Sequence, residues 1–182
     1  MYDELIRNFN EKSFPEIDMD PEIWNYLGVA YLKKENFEKA IETLERALTL
    51  DSNYARVYFN LGEAYFHLSL KNKNQEIFNK SFDIFKKAIE IDPDYPAPYC
   101  SLGEHYMQTG NLDEAIQSWN KALEIQPDID RVIYLLGVAY MDKHDKVKAL
   151  DYFNTLKEKY FHAYPESQRK QIEALIQECE KW

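Results

Sequence analysis

Glu63 and His67 are the two residues whose types and spacing come nearest to a chemical group in this sequence. They stand four apart in "GEAYFHL", which places both on one face of a helix. A carboxylate and an imidazole at that spacing can share a metal ion, or they can form a surface pair. The surface pair is the preferred reading, and neither a metal nor another cofactor is expected. Three further histidines, His105, His144 and His162, lie scattered. Cys100 and Cys179 are far apart and fit no metal spacing, so both are read as buried free thiols rather than a disulfide. The acidic pairs in "DMD" and "DPD" fall at turns and helix starts, where aspartate caps helices. No Gly-rich phosphate loop, Gly-x-Ser-x-Gly, His-Glu-x-x-His or Cys-x-x-Cys occurs. The chain is therefore not expected to be an enzyme.

Composition narrows the partners. Of 182 residues, 45% are hydrophobic and 30% charged, so the chain can bury a sizeable core. The formal net charge of −10 opposes binding to nucleic acid or to an anionic membrane surface, both of which reward a basic protein. No apolar run approaches the ~18 residues of a membrane span, and the start "MYDELIRNFN" lacks the pattern of a signal peptide. A cytoplasmic location is the resulting expectation.

The elements that must position these residues show themselves by repetition. Glycine recurs in one context, "WNYLGVAYL", "YFNLGEAYF", "YCSLGEHYM" and "IYLLGVAYM", at Gly28, Gly62, Gly103 and Gly137. The first and last steps are 34 residues and the middle step is 41. A second amphipathic stretch follows each glycine and carries a small residue: Ala40, Ser81, Ala115 and Ala149. Seven residues later stand Ala47, Ala88, Ala122 and Leu156. Pro93 and Pro127 follow two of these stretches and stop a helix there. Each unit thus reads as helix A, turn, helix B, turn. A glycine inside a helix costs about 1 kcal/mol relative to alanine, so its place needs a reason. The expected reason is a close crossing of helices A and B, with the helix B alanines as the matching small surface. The seven extra residues lie in "HLSLKNKNQEIF" and equal nearly two helical turns. They are expected either to lengthen both helices of unit two or to sit in the turn, simply tolerated there or projecting as a Lys/Asn-rich tip.

These residues resemble the tetratricopeptide repeat, whose signature runs large residue, Leu-Gly, Tyr, Ala, bulky residue, Ala and Pro over 34 positions. Unit three matches throughout with Tyr99, Leu102, Gly103, Tyr106, Ala115, Trp119, Ala122 and Pro127. Unit one matches with Trp24, Leu27, Gly28, Tyr31, Ala40, Leu44 and Ala47, while unit four decays at Leu156 and Phe161. The resemblance implies an all-α fold, a right-handed superhelical solenoid of antiparallel helix pairs. The repeats would be 21–54, 55–95 with the insertion, 96–129 and 130–163. An acidic leader, 1–20, would precede them, with Tyr2, Leu5, Ile6 and Phe9 as a short capping stripe. A C-terminal helix, 164–182, would cap the last repeat through Ile172, Leu175, Ile176, Cys179 and Trp182, because an open repeat end exposes its core.

The same resemblance implies a concave groove lined by the A helices. Three A-helix positions would face it: Asn25, Phe59, Cys100 and Tyr134; then Val29, Glu63, Glu104 and Val138; then Leu32, Phe66, Met107 and Met141. His67 joins them through Glu63. Many family members carry Tyr at the first and third positions for structural reasons, which is the alternative to a binding role. Met and aromatic residues suit adaptable peptide surfaces. The basic clamp by which some members hold chaperone tails is not matched, since Asn25 and Val29, then Ala97 and Ser101, stand at its positions, with only Asn60 agreeing. The function implied is a non-catalytic interaction module that binds an apolar protein or peptide segment with basic residues. A small acidic chaperone-like holder for a secreted or assembling client is the alternative.

Overall fold

The computed structural model describes residues 6–7 and 20–181. Among these residues every regular element is helical. The α-helices are α1 Pro21–Lys33, α2 Phe37–Leu50, α3 Ala55–Asn72, α4 Gln75–Ile91, α5 Pro96–Gln108, α6 Leu112–Ile125, α7 Asp130–Asp142, α8 Lys146–Lys159 and α9 Glu166–Glu180. A short 3-10 turn, Phe161–Ala163, lies between α8 and α9. The chain forms two compact units, Met1–Ser101 and Leu102–Trp182, and the boundary falls within the sequence of α5.

Each A-to-B turn is built the same way. Glu35, Lys73, Gly110 and His144 adopt positive φ, the left-handed geometry that ends a helix. The next residue then sends its N–H back to the last turn of helix A: Asn36 to Tyr31, Asn74 to Ser69, Asn111 to Tyr106 and Asp145 to Tyr140, at 2.9–3.0 Å. That same residue starts helix B. Asn36, Asn74 and Asp145 accept backbone N–H bonds from Lys39, from Glu76 and Ile77, and from Lys148, satisfying donors the helix leaves open. One dipeptide therefore closes one helix and opens the next.

The crossing of each helix pair is close, and its partner differs from the sequence expectation. A Cβ on Gly28 would stand 2.5 Å from Leu44, on Gly62 2.5 Å from Phe85, on Gly103 2.2 Å from Trp119 and on Gly137 2.6 Å from Phe153. The glycines therefore make room for the bulky residue of helix B, not for its alanines. The alanines do a separate job. Ala40, Ala47, Ala88, Ala115, Ala122 and Ala149 are fully buried, as are Leu44, Phe85, Trp119 and Phe153. A large side chain seated between two small ones fills the crossing at native density.

The seven extra residues go into the helices. The A helices α1, α5 and α7 have 13 residues and α3 has 18. The B helices α2, α6 and α8 have 14 and α4 has 17. The turn between α3 and α4 is thus no longer than its counterparts, which corrects the turn-insertion reading. His67 stacks on Phe37 at 5.5 Å, and Lys71, in the added length, lies 5.7 Å over the same ring.

The ends differ. In unit 2, α9 packs on α8 and buries Ile172, Ile176 and Cys179. Trp182 lies outside the described residues. At the front, Ile6 and Arg7 are helical and Ile6 packs against the core of unit 1. Tyr2, Leu5 and Phe9 of the leader lie outside the described residues.

Candidate partner-binding site

The A helices carry two kinds of apolar position. One kind is fully buried: Leu27, Ala30, Leu61, Ala64, Leu136 and Ala139 hold the repeat together. The other kind is half-buried: Val29, Leu32, Phe59, Cys100, Met107, Tyr134, Val138 and Met141. These eight stand at the three positions read from the sequence as facing a partner; Ile23, Trp24, Tyr58, Tyr99, Tyr106 and Leu135, outside those positions, are half-buried as well.

In unit 1 the remaining positions are already engaged. Asn25 is 2% exposed and accepts a bond of 2.8 Å from the Asn60 amide, which ties α1 to α3. Phe66 is 8% exposed, 5.8 Å from Phe78 and edge-on to His67 at 5.7 Å. Neither offers a partner much surface. Phe59 meets Tyr95 edge-on at 5.5 Å. Glu63 is 28% exposed; it accepts from the Ser101 hydroxyl at 2.7 Å, and the His67 imidazole stands 3.7 Å from its second oxygen. Glu63 and His67 are thus brought together as a surface pair. Among the described residues no group of three or more His, Cys, Asp or Glu could hold a metal ion.

In unit 2, Glu104 is 25% exposed and bonded by the Arg131 guanidinium at 2.8 Å. Tyr134 packs its ring 6.2 Å from Phe153, and its hydroxyl accepts from the Gln171 amide at 2.8 Å. Tyr134 also lines a cavity of about 300 Å³ whose rim is Asp130, Arg131, Tyr164, Gln168 and Gln171 and whose floor is Leu156 and Ile172. Both oxygens of Asp130 accept a bond within the protein. One oxygen accepts the Arg131 backbone N–H at 2.8 Å and the other the Tyr164 hydroxyl at 2.7 Å. Burial first, then that bond to Asp130, holds the Tyr164 phenol well above its ordinary range.

Sequence reasoning missed this rim. Tyr164, Gln168 and Gln171 come from the cap, outside the repeats. Arg131 stands where the other repeats have Glu22, Arg56 and Ala97, so periodicity gives it no weight.

Comparison with known proteins agrees with the helix pairs. A family model described as TPR repeat matches residues 30–69 and 103–143, and one described as Tetratricopeptide repeat matches 84–117. Together they account for more than half of the chain. A crystal structure of MamA is 27% identical, covers 90% of this chain and 92% of that one, and superposes with a TM-score of 0.72. TTC0263, a thermophilic TPR protein of Thermus thermophilus, is 21% identical over 96% of this chain and 90% of its own, with a TM-score of 0.77. MamA residues 41–end from Desulfovibrio magneticus RS-1 is 22% identical over 86% of this chain and 84% of its own, with a TM-score of 0.69. No curated protein sequence matches. The chain belongs to the tetratricopeptide-repeat family, and its fold is the all-α solenoid of that family.

Proposed function

We propose that the protein is a non-catalytic scaffold that receives a partner segment on its A-helix face. The fold indicates a protein–protein interaction role in general. The half-buried set carries the finer reading. Each repeat keeps at least one apolar side chain partly open at the three A-helix positions: Val29 and Leu32, then Phe59, then Cys100 and Met107, then Tyr134, Val138 and Met141. A surface of that kind gains most from apolar burial, at roughly 25 cal/mol per Å². The net charge of −10 and the partly open Glu63 and Glu104 favour a segment that also carries Lys or Arg. Both carboxylates have partners within the protein, so their contribution is to orientation and encounter more than to affinity. Exposed charge pairs are worth only about 0–1 kcal/mol.

Fluorescence anisotropy of a labelled amphipathic Leu/Lys peptide, against the same peptide with Glu for Lys, tests this reading. Binding of the Lys form alone is expected, weaker in high salt and weaker by about tenfold in Met107→Ala or Met141→Ala, a loss of ~1.4 kcal/mol. Equal binding of both peptides, or of neither, sinks it. A single client bound in fixed ratio, and degraded in cells lacking this protein, would favour the chaperone-like holder instead.

A further inference from the structure

The length added to repeat two puts lysines and an open leucine on a tip that the scaffold reading does not use. α3 runs five residues further than α1, about 7 Å, and passes the α1–α2 turn, where His67 and Lys71 lie on Phe37. At its end stand Leu70, 46% exposed, then Lys71, Asn72, Lys73 and Asn74, all exposed. Lys33 and Lys34 close α1 on the same edge of unit 1. With Lys39 these lysines outweigh Glu35, Glu38 and Glu76, the acids of that edge.

These lysines lack what the lysines at the corresponding edge of unit 2 have. There Lys143 is bonded to Asp113, Lys148 stands 3.5 Å from Asp145, and Lys146 donates to the Glu180 carbonyl at 3.0 Å. Among the described residues the side chains of Lys33 and Lys73 make no hydrogen bond or ion pair, and Lys71 has only the Phe37 ring. Three ammonium groups thus keep their donors open beside an open apolar side chain.

Shape and charge select what could meet them. The tip is convex, two helix ends and a turn, so it cannot enclose a peptide and suits a partner that yields around it. A leucine flanked by lysines and amides matches the boundary layer of an anionic bilayer, where acyl chains take the apolar group and phosphates take the ammonium groups. The net charge of −10 does not decide the matter, because of where it lies. The opposite edge of unit 1, with Asp20, Asp51 and Asp92, is the 18-residue length of α3 away, about 27 Å. Charges are screened over about 8 Å at physiological salt, so a surface touching the tip feels the lysines and hardly those aspartates. No helix among the described residues is long and apolar enough to cross a membrane, so the contact would be peripheral.

We propose that the α3–α4 tip docks on an anionic lipid surface, with Leu70 entering the edge of the acyl layer and Lys33, Lys71 and Lys73 meeting the lipid phosphates. This contact does not depend on the A-helix reading, and either can fail alone.

Co-sedimentation of the full chain with phosphatidylcholine vesicles, with and without phosphatidylserine, tests it. Binding to the anionic vesicles alone is expected, lost in high salt and undisturbed by millimolar inorganic phosphate. Lys33→Glu with Lys73→Glu should weaken it about tenfold or more, and Leu70→Ser about threefold, both at unchanged helicity. Lys159→Glu with Lys181→Glu makes the same charge change in unit 2 and should leave binding as it was. Four results overturn the proposal: no binding to the anionic vesicles, equal binding to the neutral ones, indifference to both tip variants, or equal weakening by the unit 2 variant. Binding of polyglutamate but not of vesicles would also overturn it, and would assign the lysines to an acidic protein instead.

Discussion

Replacing Gly103 by alanine sets two opposing effects against each other, and the structure decides between them. In an open helix the change would stabilise by about 1 kcal/mol, because alanine is the better helix former. Here the new methyl would lie 2.2 Å from Nε1 and 2.4 Å from Cδ1 of Trp119. Ordinary contact needs more than about 3 Å, so the ring must retreat by about 1 Å or the helices must part. Trp119 is 0% exposed, so the ring can retreat only by displacing its neighbours in a close-packed interior. Overpacking of this kind costs ~1–3 kcal/mol, and an overlap with a rigid ring falls at the upper end or beyond. The net expectation is a loss of roughly 1–2 kcal/mol. Gly110→Ala is the control for backbone alone. Nothing lies within 4 Å of its Cβ, but its φ of +78° makes alanine cost ~1 kcal/mol without any clash. Urea unfolding followed by far-UV circular dichroism reads both. Because Leu44 crowds Gly28 at 2.5 Å in the same way, Trp119→Ala, not Trp119→Leu, in the Gly103→Ala background separates the causes. If the clash is the cause, Gly103→Ala should cost at least ~1 kcal/mol less once the indole is gone. A Gly103→Ala protein as stable as the parent, or a strictly additive double mutant, refutes the close-crossing account.

Other outcomes follow from the same geometry. Deleting residues 165–182 uncovers the surface that Ile172, Ile176 and Cys179 cover on unit 2, worth ~5 kcal/mol by apolar area; aggregation or a much lower unfolding midpoint is expected, and an equally stable truncation would show the helix is no cap. Cys179 is fully buried and burial pushes its thiol up, whereas Cys100 is half-buried; a thiol-exchange reagent should label Cys100 first, and Cys179 only as α9 opens. Tyr164→Phe removes the bond to Asp130 and should cost ~1–2 kcal/mol at neutral pH by thermal unfolding. Because the folded protein holds the Tyr164 proton more tightly than the unfolded chain does, stability falls as pH rises through about 10, where unfolded phenols ionise. The Phe variant should show a shallower alkaline fall, and an identical slope would mean the phenol does not titrate as the structure implies.

The repeats were legible because their signal is redundant. Four glycines in register with seven small residues on the helices that follow them leave one helical arrangement that uses them all. Which residue each glycine faces was not legible, since alanine and bulky neighbours lie on the same face of helix B and only the crossing angle chooses between them. The A-helix surface was read by register alone, and register cannot see local exceptions. Asn25 sinks because Asn60 of the next A helix offers it an amide. Phe66 sinks because repeat two has an aromatic at both meeting positions, Phe66 and Phe78, where the others pair Leu32 with Phe37, Met107 with Leu112 and Met141 with Lys146. The rim of the α7–α9 cavity joins Asp130 and Arg131, at a helix start whose residues differ from repeat to repeat, to Tyr164, Gln168 and Gln171 of a turn and a cap that no periodicity governs.

The insertion shows why fold and partner are written in different residues. Five of the added residues lengthen α3 and three lengthen α4, with the turn shortened by one, and all of this growth lies beyond the Gly62–Phe85 crossing. The crossing is closed by residues that never reach solvent, so it does not register what happens further along the helices. The new length finds its own support: Lys71 settles on the Phe37 ring, on which His67 also stacks, and Asn74 caps α4. What it adds outside is a polar end with Leu70 nearly half exposed. The half-buried A-helix positions are free in the same sense, because each repeat is held by its glycine, its small residues and its left-handed turn. A change at Met107 or Met141 therefore alters what can be bound more than whether the helices pair, whereas a change at Gly103 or Trp119 does the reverse.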